Sequence, residues 1–197
     1  MIPNKKQLSI ELSKINEVEH KNVSLEQYQT DLKTAVDFLY FSYENGGIYN
    51  KTVADLGCGN GILGIGAKLL GAKTVDFYDI DQKAVDVCRE NLLNLKIKSD
   101  VYRSDFFDIT KNYDTIISNP PFGIRTSFDP VLFIEKIKTL SSNFFIILPE
   151  NKRTLEISER QGTLLHKLGD ISIPAFASGH KKEIFKVPVV IVYSIKI

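Results

Sequence analysis

Asn119-Pro120-Pro121-Phe122-Gly123 follows the run Tyr113-Asp114-Thr115-Ile116-Ile117-Ser118 and stops it abruptly. Pro121 has no backbone N–H to give a sheet, and Pro120 keeps Asn119 out of the helical region, so the run reads as a buried strand ending at its carboxyl edge. That edge is where open α/β sheets bind ligands, and the group delivered there is an amide. Taken alone, Asn-Pro is also an ordinary turn dipeptide. A second stretch changes the weighing. Val53-Ala54-Asp55-Leu56-Gly57-Cys58-Gly59-Asn60-Gly61-Ile62 is a strand running into a glycine-rich turn that opens a helix, whose free N–H groups point at whatever sits there. Gly59-Asn60-Gly61-Ile62-Leu63-Gly64 matches the dinucleotide fingerprint literally, which brings in a nicotinamide dehydrogenase. Asp55 argues for a different ligand. At the strand end it would meet a pyrophosphate with a like charge, whereas a ligand carrying an ammonium and a sulfonium is not repelled.

Two further acids stand at strand ends. Asp79 closes Val75-Asp76-Phe77-Tyr78-Asp79, about 20 residues beyond the glycine loop, where a carboxylate can grip ribose hydroxyls. Asp79 could instead cap the next helix, although Asp81 suits that role better. Asp105-Phe106 follows the third strand and pairs an acid with an apolar ring able to clasp an adenine, or else forms another turn.

These residues need a frame. From Thr52 onward strands alternate with helices, which predicts an α/β fold with a parallel sheet covered on both faces. Strands are expected near 52–56, 74–79, 100–104, 113–118 and 143–148, and helices near 62–70, 82–95, 130–141 and 152–167. Ala84, Cys88, Leu92 and Leu95 line one helical face, so Cys88 reads as a core residue. Ahead of the sheet, Leu8, Leu12 and Ile15 mark a short amphipathic helix within 4–19. Leu32, Val36, Leu39 and Tyr40 mark another that ends at Gly46-Gly47. From Ile171 onward, two terminal strands are expected to close the sheet as an antiparallel hairpin. No repeat or linker divides the chain, so 1–197 reads as one domain, with 1–50 a helical extension and 51–197 the core.

Composition narrows the function. With 25 Lys+Arg against 24 Asp+Glu the net charge is +1, so nucleic-acid binding must come from a local patch or a partner. Cys58 and Cys88 lack CxxC spacing and the histidines are scattered, which argues against a disulfide framework or an internal metal site. No apolar run is long enough for a membrane helix, and a cytoplasmic location is expected.

The motifs resemble those of class I S-adenosylmethionine-dependent methyltransferases of the amino-methylating branch. The residues concerned are Asp55-Leu56-Gly57-Cys58-Gly59-Asn60-Gly61, Asp79-Ile80-Asp81 and Asn119-Pro120-Pro121-Phe122-Gly123. Leu25-Glu26-Gln27-Tyr28-Gln29-Thr30 is similar to the segment ahead of the domain in the methyltransferase-like protein 5 group, which methylates adenine N6 in small-subunit ribosomal RNA. Ala177-Ser178-Gly179-His180-Lys181-Lys182 is similar to that group's basic loop before the last strand.

The resemblance implies a Rossmann-like seven-stranded sheet, mostly parallel with an antiparallel C-terminal strand, and S-adenosylmethionine as cofactor. It implies that segment 25–30 closes over the cofactor, with Gln27 and Thr30 at the methionine end. Asp55, Gly57, Gly59, Asn60 and Ile62 would form the loop, Asp79 would hold the ribose, and Asp105 with Phe106 the adenine. The Asn119 side-chain oxygen and the Pro120 carbonyl would accept both N–H groups of the target amine. Pro121 would stiffen the turn and Phe122 would stack on the base. His180, Lys181 and Lys182, joined by Lys186, Lys5 and Lys6, would contact RNA phosphates. A small zinc-containing activator is implied at an apolar sheet edge beside 100–104. An enzyme of the same fold that methylates a release-factor glutamine, another RNA base amine (guanine N2), and a scaffold that binds cofactor without turnover are the competing readings.

Overall fold

Side chains of alternate parity along a strand go to opposite faces, and here this sorts the apolar residues into two cores. The computed structural model describes residues 2–18, 30–123, 127–174 and 184–196. Its helices are α1 (Lys5–Leu12), α2 (Leu32–Glu44), α3 (Ile62–Leu69), α4 (Gln82–Asn94), α5 (Pro130–Leu140) and α6 (Lys152–Gln161). Its strands are β1 (Thr52–Leu56), β2 (Thr74–Asp79), β3 (Asp100–Arg103), β4 (Thr115–Ser118), β5 (Phe144–Pro149), β6 (Leu164–Pro174) and β7 (Ile184–Ser194). They form one seven-stranded sheet in the order β3-β2-β1-β4-β5-β7-β6. β7 runs antiparallel to both β5 and β6, and the remaining pairs are parallel, as expected for a class I methyltransferase sheet.

Val53, Phe77, Ile117, Phe145 and Ile147 share one core with Leu8, Leu12, Phe38, Leu39, Ile65 and Cys88, which places α1–α4 on that face. Ala54, Leu56, Ile116, Phe144 and Ile146 share the other with Phe133, Ile134, Ile137 and Ile157 of α5 and α6. Leu8, Phe38 and Leu39 are fully buried. Each such side chain contributes roughly 1.5–3 kcal/mol, so the N-terminal helices are built into the core. Capping sets where the helices begin. Asp31, Asp81, Asp129 and Asn151 accept first-turn N–H bonds at the starts of α2, α4, α5 and α6.

Four expectations change. The helix foreseen over 152–167 ends at Gln161, because Gly162 takes a left-handed conformation (φ 62°) and its N–H bonds back to Ser158 and Glu159. Leu164 onward then pairs with β7, so the terminal hairpin begins earlier than Ile171. The apolar spacing there is satisfied by a long-range strand partner rather than by helix packing. The first helix stops at Leu12, with Ile15 packed against the core beyond it. Finally, β3 does lie at a sheet edge, but only Val101 of its four residues is buried, so that edge is not apolar.

Candidate active site

The chain builds outward from β1 to β2 and β3, then returns to β4 on the other side of β1. The carboxyl ends of β1 and β4 therefore flank a topological switch point, the crevice where such sheets bind ligands. Leu56 and Ser118 are register partners, and the Ser118 hydroxyl donates to the Leu56 carbonyl at 2.6 Å. This bond fixes the glycine loop and the Asn119 turn side by side. A cavity of about 380 Å3 opens there, lined by Asp55, Gly57, Asn60, Asp79, Phe106 and Asn119 among others. Its size falls in the roughly 300–1,000 Å3 range of small-molecule sites.

Gly57, Gly59 and Gly61 all have positive φ (69°, 55° and 87°), which lets the loop wrap beneath the cavity. The N–H groups of Gly57 and Cys58 both donate to the Tyr78 carbonyl, at 2.8 and 3.0 Å. Gly64 is needed for a different reason. A Cβ there would lie 2.3 Å from the Phe77 ring and 2.9 Å from Asp55 Oδ2. Its absence lets the first turn of α3 sit on the sheet and lets the Gly64 N–H donate to Asp55 at 2.8 Å.

Asp55 is 1% exposed, and its second oxygen, Oδ1, has no hydrogen-bond partner. Burial pushes its carboxyl up to about 7, against the Gly64 N–H, and the nearby Asp79 charge adds to the rise. An acid in this state is suited to a cation. Asp79 is also raised, mainly by burial, while the N–H groups of Asp81 and Gly59 counter the effect with bonds of 2.9 Å each. Asp81 is the α4 N-cap, which leaves Asp79 as the acid at the cavity. Asp105 caps the short 3-10 turn Phe106–Asp108 by accepting from the Phe107 N–H at 2.9 Å. It thereby sets the Phe106 ring into the cavity wall.

Across the cavity Asn119 is half-buried. Its Nδ2 donates to the Thr30 hydroxyl at 2.8 Å, and its Oδ1 is buried without a partner. Pro120 and Pro121 line the cavity beside it. Phe122 does not stand among the lining residues. It packs against the α1–α4 core, and the aromatic residues lining the cavity are Tyr78, Phe106, Phe107, Phe128 and Phe133.

Residues 27–139 match the methyltransferase small domain family. The chain belongs to that family. It is 31% identical to an uncharacterised protein of Methanocaldococcus jannaschii, over 95% of this chain and 92% of that protein. It is 39% identical to the rRNA N6-adenosine methyltransferase METTL5 of Danio rerio over 61% of this chain, and the match spans about three-fifths (61%) of that protein. A crystal structure of a candidate RNA methyltransferase from Pyrococcus horikoshii superposes with a TM-score of 0.87 at 35% identity, covering 100% of both chains. The dinucleotide reading of Gly59–Gly64 gives way to this assignment. The buried carboxylate of Asp55 is its physical counterpart.

Sequence reasoning missed part of this methyltransferase's cavity wall. Val18, Ile80, Ser127, Phe128, Leu132 and Phe133 come from three separate stretches of the chain and converge only through the fold. It also missed Asn91 in α4, which is 1% exposed. The Asn91 amide donates to the carbonyls of Asn16 and Asn60, at 3.1 and 2.9 Å, and accepts from the Asn16 N–H at 2.8 Å. Asn60 joins this clamp, its Nδ2 donating to the Asn16 carbonyl at 3.1 Å and its Oδ1 accepting from the Ile62 N–H at 3.3 Å. The Asn60 side chain thus ties the N-terminal segment to the glycine loop. A polar residue on an otherwise apolar helical stripe was the signal available. Replacing Asn91 with leucine is expected to destabilise the protein by about 3 kcal/mol, through buried backbone groups left unpaired. Thermal unfolding should fall by roughly 6–12 °C, and cofactor binding measured by calorimetry should weaken with it.

Gln27, His180, Lys181 and Lys182 lie outside the described residues. Lys186 and Lys6 are exposed, and Lys5 is paired with Asp37 at 3.0 Å. Among the described residues no group of side chains could hold a metal ion, and no helix is long and apolar enough to cross a membrane.

Proposed function

We propose that this methyltransferase uses S-adenosylmethionine to methylate the N6 amine of an adenine in small-subunit ribosomal RNA, with the whole chain acting as one catalytic domain. The observation that carries the reading is Asn119 Oδ1, a buried acceptor with no partner on the wall of the cavity. The residues fit the cofactor. The unpartnered Asp55 Oδ1 suits the ammonium of its methionine end, Asp79 suits a ribose diol, and Ile80 with Phe106 and Phe107 offers apolar walls for the adenine. When bound, S-adenosylmethionine supplies an electrophilic methyl on a sulfonium.

An aryl amine is a poor nucleophile because its lone pair is delocalised into the ring. Asn119 Oδ1 and the Pro120 carbonyl would accept its two N–H groups, localise that lone pair and orient it. No general base is needed beforehand, since the proton can leave the cationic product afterwards. The named rRNA N6-adenosine methyltransferases of Danio rerio, Drosophila melanogaster and Caenorhabditis elegans, 30–39% identical over their matched segments, support an adenine in ribosomal RNA. The base must leave its stack to reach Asn119, which favours unpaired RNA. The basic loop at His180, Lys181 and Lys182 would hold phosphates, and the activator would add to the β3 edge.

The test is transfer from labelled S-adenosylmethionine to unmethylated small ribosomal subunits, with recombinant release factor in a parallel tube. Label recovered from RNA as N6-methyladenine is the expected result. Label only in protein overturns the RNA assignment.

A further inference from the structure

We propose that Thr30 is a positioning residue for the methyl acceptor: its hydroxyl turns the Asn119 amide so that the oxygen, and not the NH2, faces the substrate amine. The inference rests on the reading of Asn119 as an acceptor given above. The two ends of a primary amide are nearly equal in shape but opposite in hydrogen bonding. An NH2 turned toward a substrate amine would set donor against donor, so the orientation of this one group decides whether the site can bind its target. Something must fix it.

The neighbouring hydroxyl in sequence, Ser118 Oγ, is turned to the Leu56 carbonyl, to which it donates at 2.6 Å. The partner comes instead from 89 residues away, where Thr30 Oγ1 receives the Asn119 Nδ2–H at 2.8 Å. Thr30 is 6% exposed and lines the same cavity. Its backbone is held in turn, since Asp31 caps α2 by accepting from the Thr34 N–H at 3.0 Å and the Thr34 hydroxyl at 2.7 Å. Ala35, Phe38 and Leu39 bury that helix in the core. With Nδ2 engaged, Oδ1 is left buried and unpartnered. The resemblance implies a place for Thr30 beside the methionine end of the cofactor, and in the structure its hydroxyl bonds the Asn119 amide.

Thr30→Val keeps the shape and removes the hydroxyl, and Thr30→Ser restores it. In the intact chain, Thr30→Val is expected to lower kcat about tenfold, from loss of one orienting hydrogen bond. The calorimetric Kd for S-adenosylmethionine should stay within about twofold, and Thr30→Ser should return kcat to near wild type. Independently of any substrate, the side-chain 15N–H2 signal of Asn119 should show slowed hydrogen exchange in wild type and Thr30→Ser and lose it in Thr30→Val. Thermal unfolding of both variants checks that they fold. Valine and serine variants equally impaired, an unchanged Asn119 signal in Thr30→Val, or a cofactor Kd that weakens in step with kcat would each overturn the proposal. A wild-type protein that methylates no RNA amine would instead overturn the functional reading, while the amide signal still decides the Thr30 bond.

Discussion

Asn119→Ala is expected to lower kcat by about 10²–10³-fold, the range seen when one preorganised polar group aimed at a reacting centre is removed. Cofactor affinity should remain within about twofold, because Asp55, Asp79 and the glycine loop hold their places without Asn119. The structural ground is the separation of tasks across the cavity. Asp55 and Asp79, at the carboxyl ends of β1 and β2, accept from the N–H groups of Gly64 in α3 and Gly59 in the glycine loop, whereas Asn119 follows β4 and is held by Thr30, just ahead of α2. Single-turnover transfer from labelled S-adenosylmethionine, paired with calorimetric titration of the same protein, checks both halves. A parallel loss of affinity and turnover would place Asn119 among the cofactor contacts instead.

The second large effect concerns pH. Asp55 sits at about 7 in the folded protein, well above the ordinary carboxylate value of 3.8. A cationic ligand prefers the ionised form, so binding should tighten as pH rises through 7. Between pH 5.5 and pH 7 the gain is expected to be about tenfold, within a range where an α-amino group stays protonated. The sign for stability is opposite. Between 3.8 and about 7 the folded protein binds more protons than the unfolded chain, so the ligand-free protein loses stability over that interval as pH rises. Asp55→Asn should weaken binding and flatten both slopes, leaving only the smaller pH dependence that Asp79, also raised by burial, contributes. Calorimetry and thermal unfolding at matched pH values measure them. An unchanged affinity profile in Asp55→Asn would assign the pH dependence to another group.

Much of this was legible in the chain because the informative residues are local. Each strand end carries its polar group next to the turn that stops the strand. Asp55 precedes the glycines, Asp79 precedes the α4 cap, and Asn119 precedes two prolines. A parallel sheet puts all its carboxyl ends on one edge, so those local signals converge once the α/β alternation is recognised. The buried face of α4 was readable for the same reason, since Ala84, Cys88 and Leu92 repeat at helical spacing.

What only the tertiary structure decided involves partners distant in sequence or a competition between local and long-range bonding. Pairing with β7, helped by a left-handed Gly162, made a strand of residues that extend a helical pattern. Phe122 packs into the core while Phe128 and Phe133, beyond the motif, reach the cavity, because packing and not proximity in the chain sets where a ring turns. Asn60 and Asn91 hold the N-terminal segment through bonds spanning 44 and 75 residues, which no spacing announces. The state of Asp55 follows the same logic. Its position was written in the sequence, but its raised pKa and its unpartnered oxygen exist only because folding removes it from water and gives it a single N–H donor.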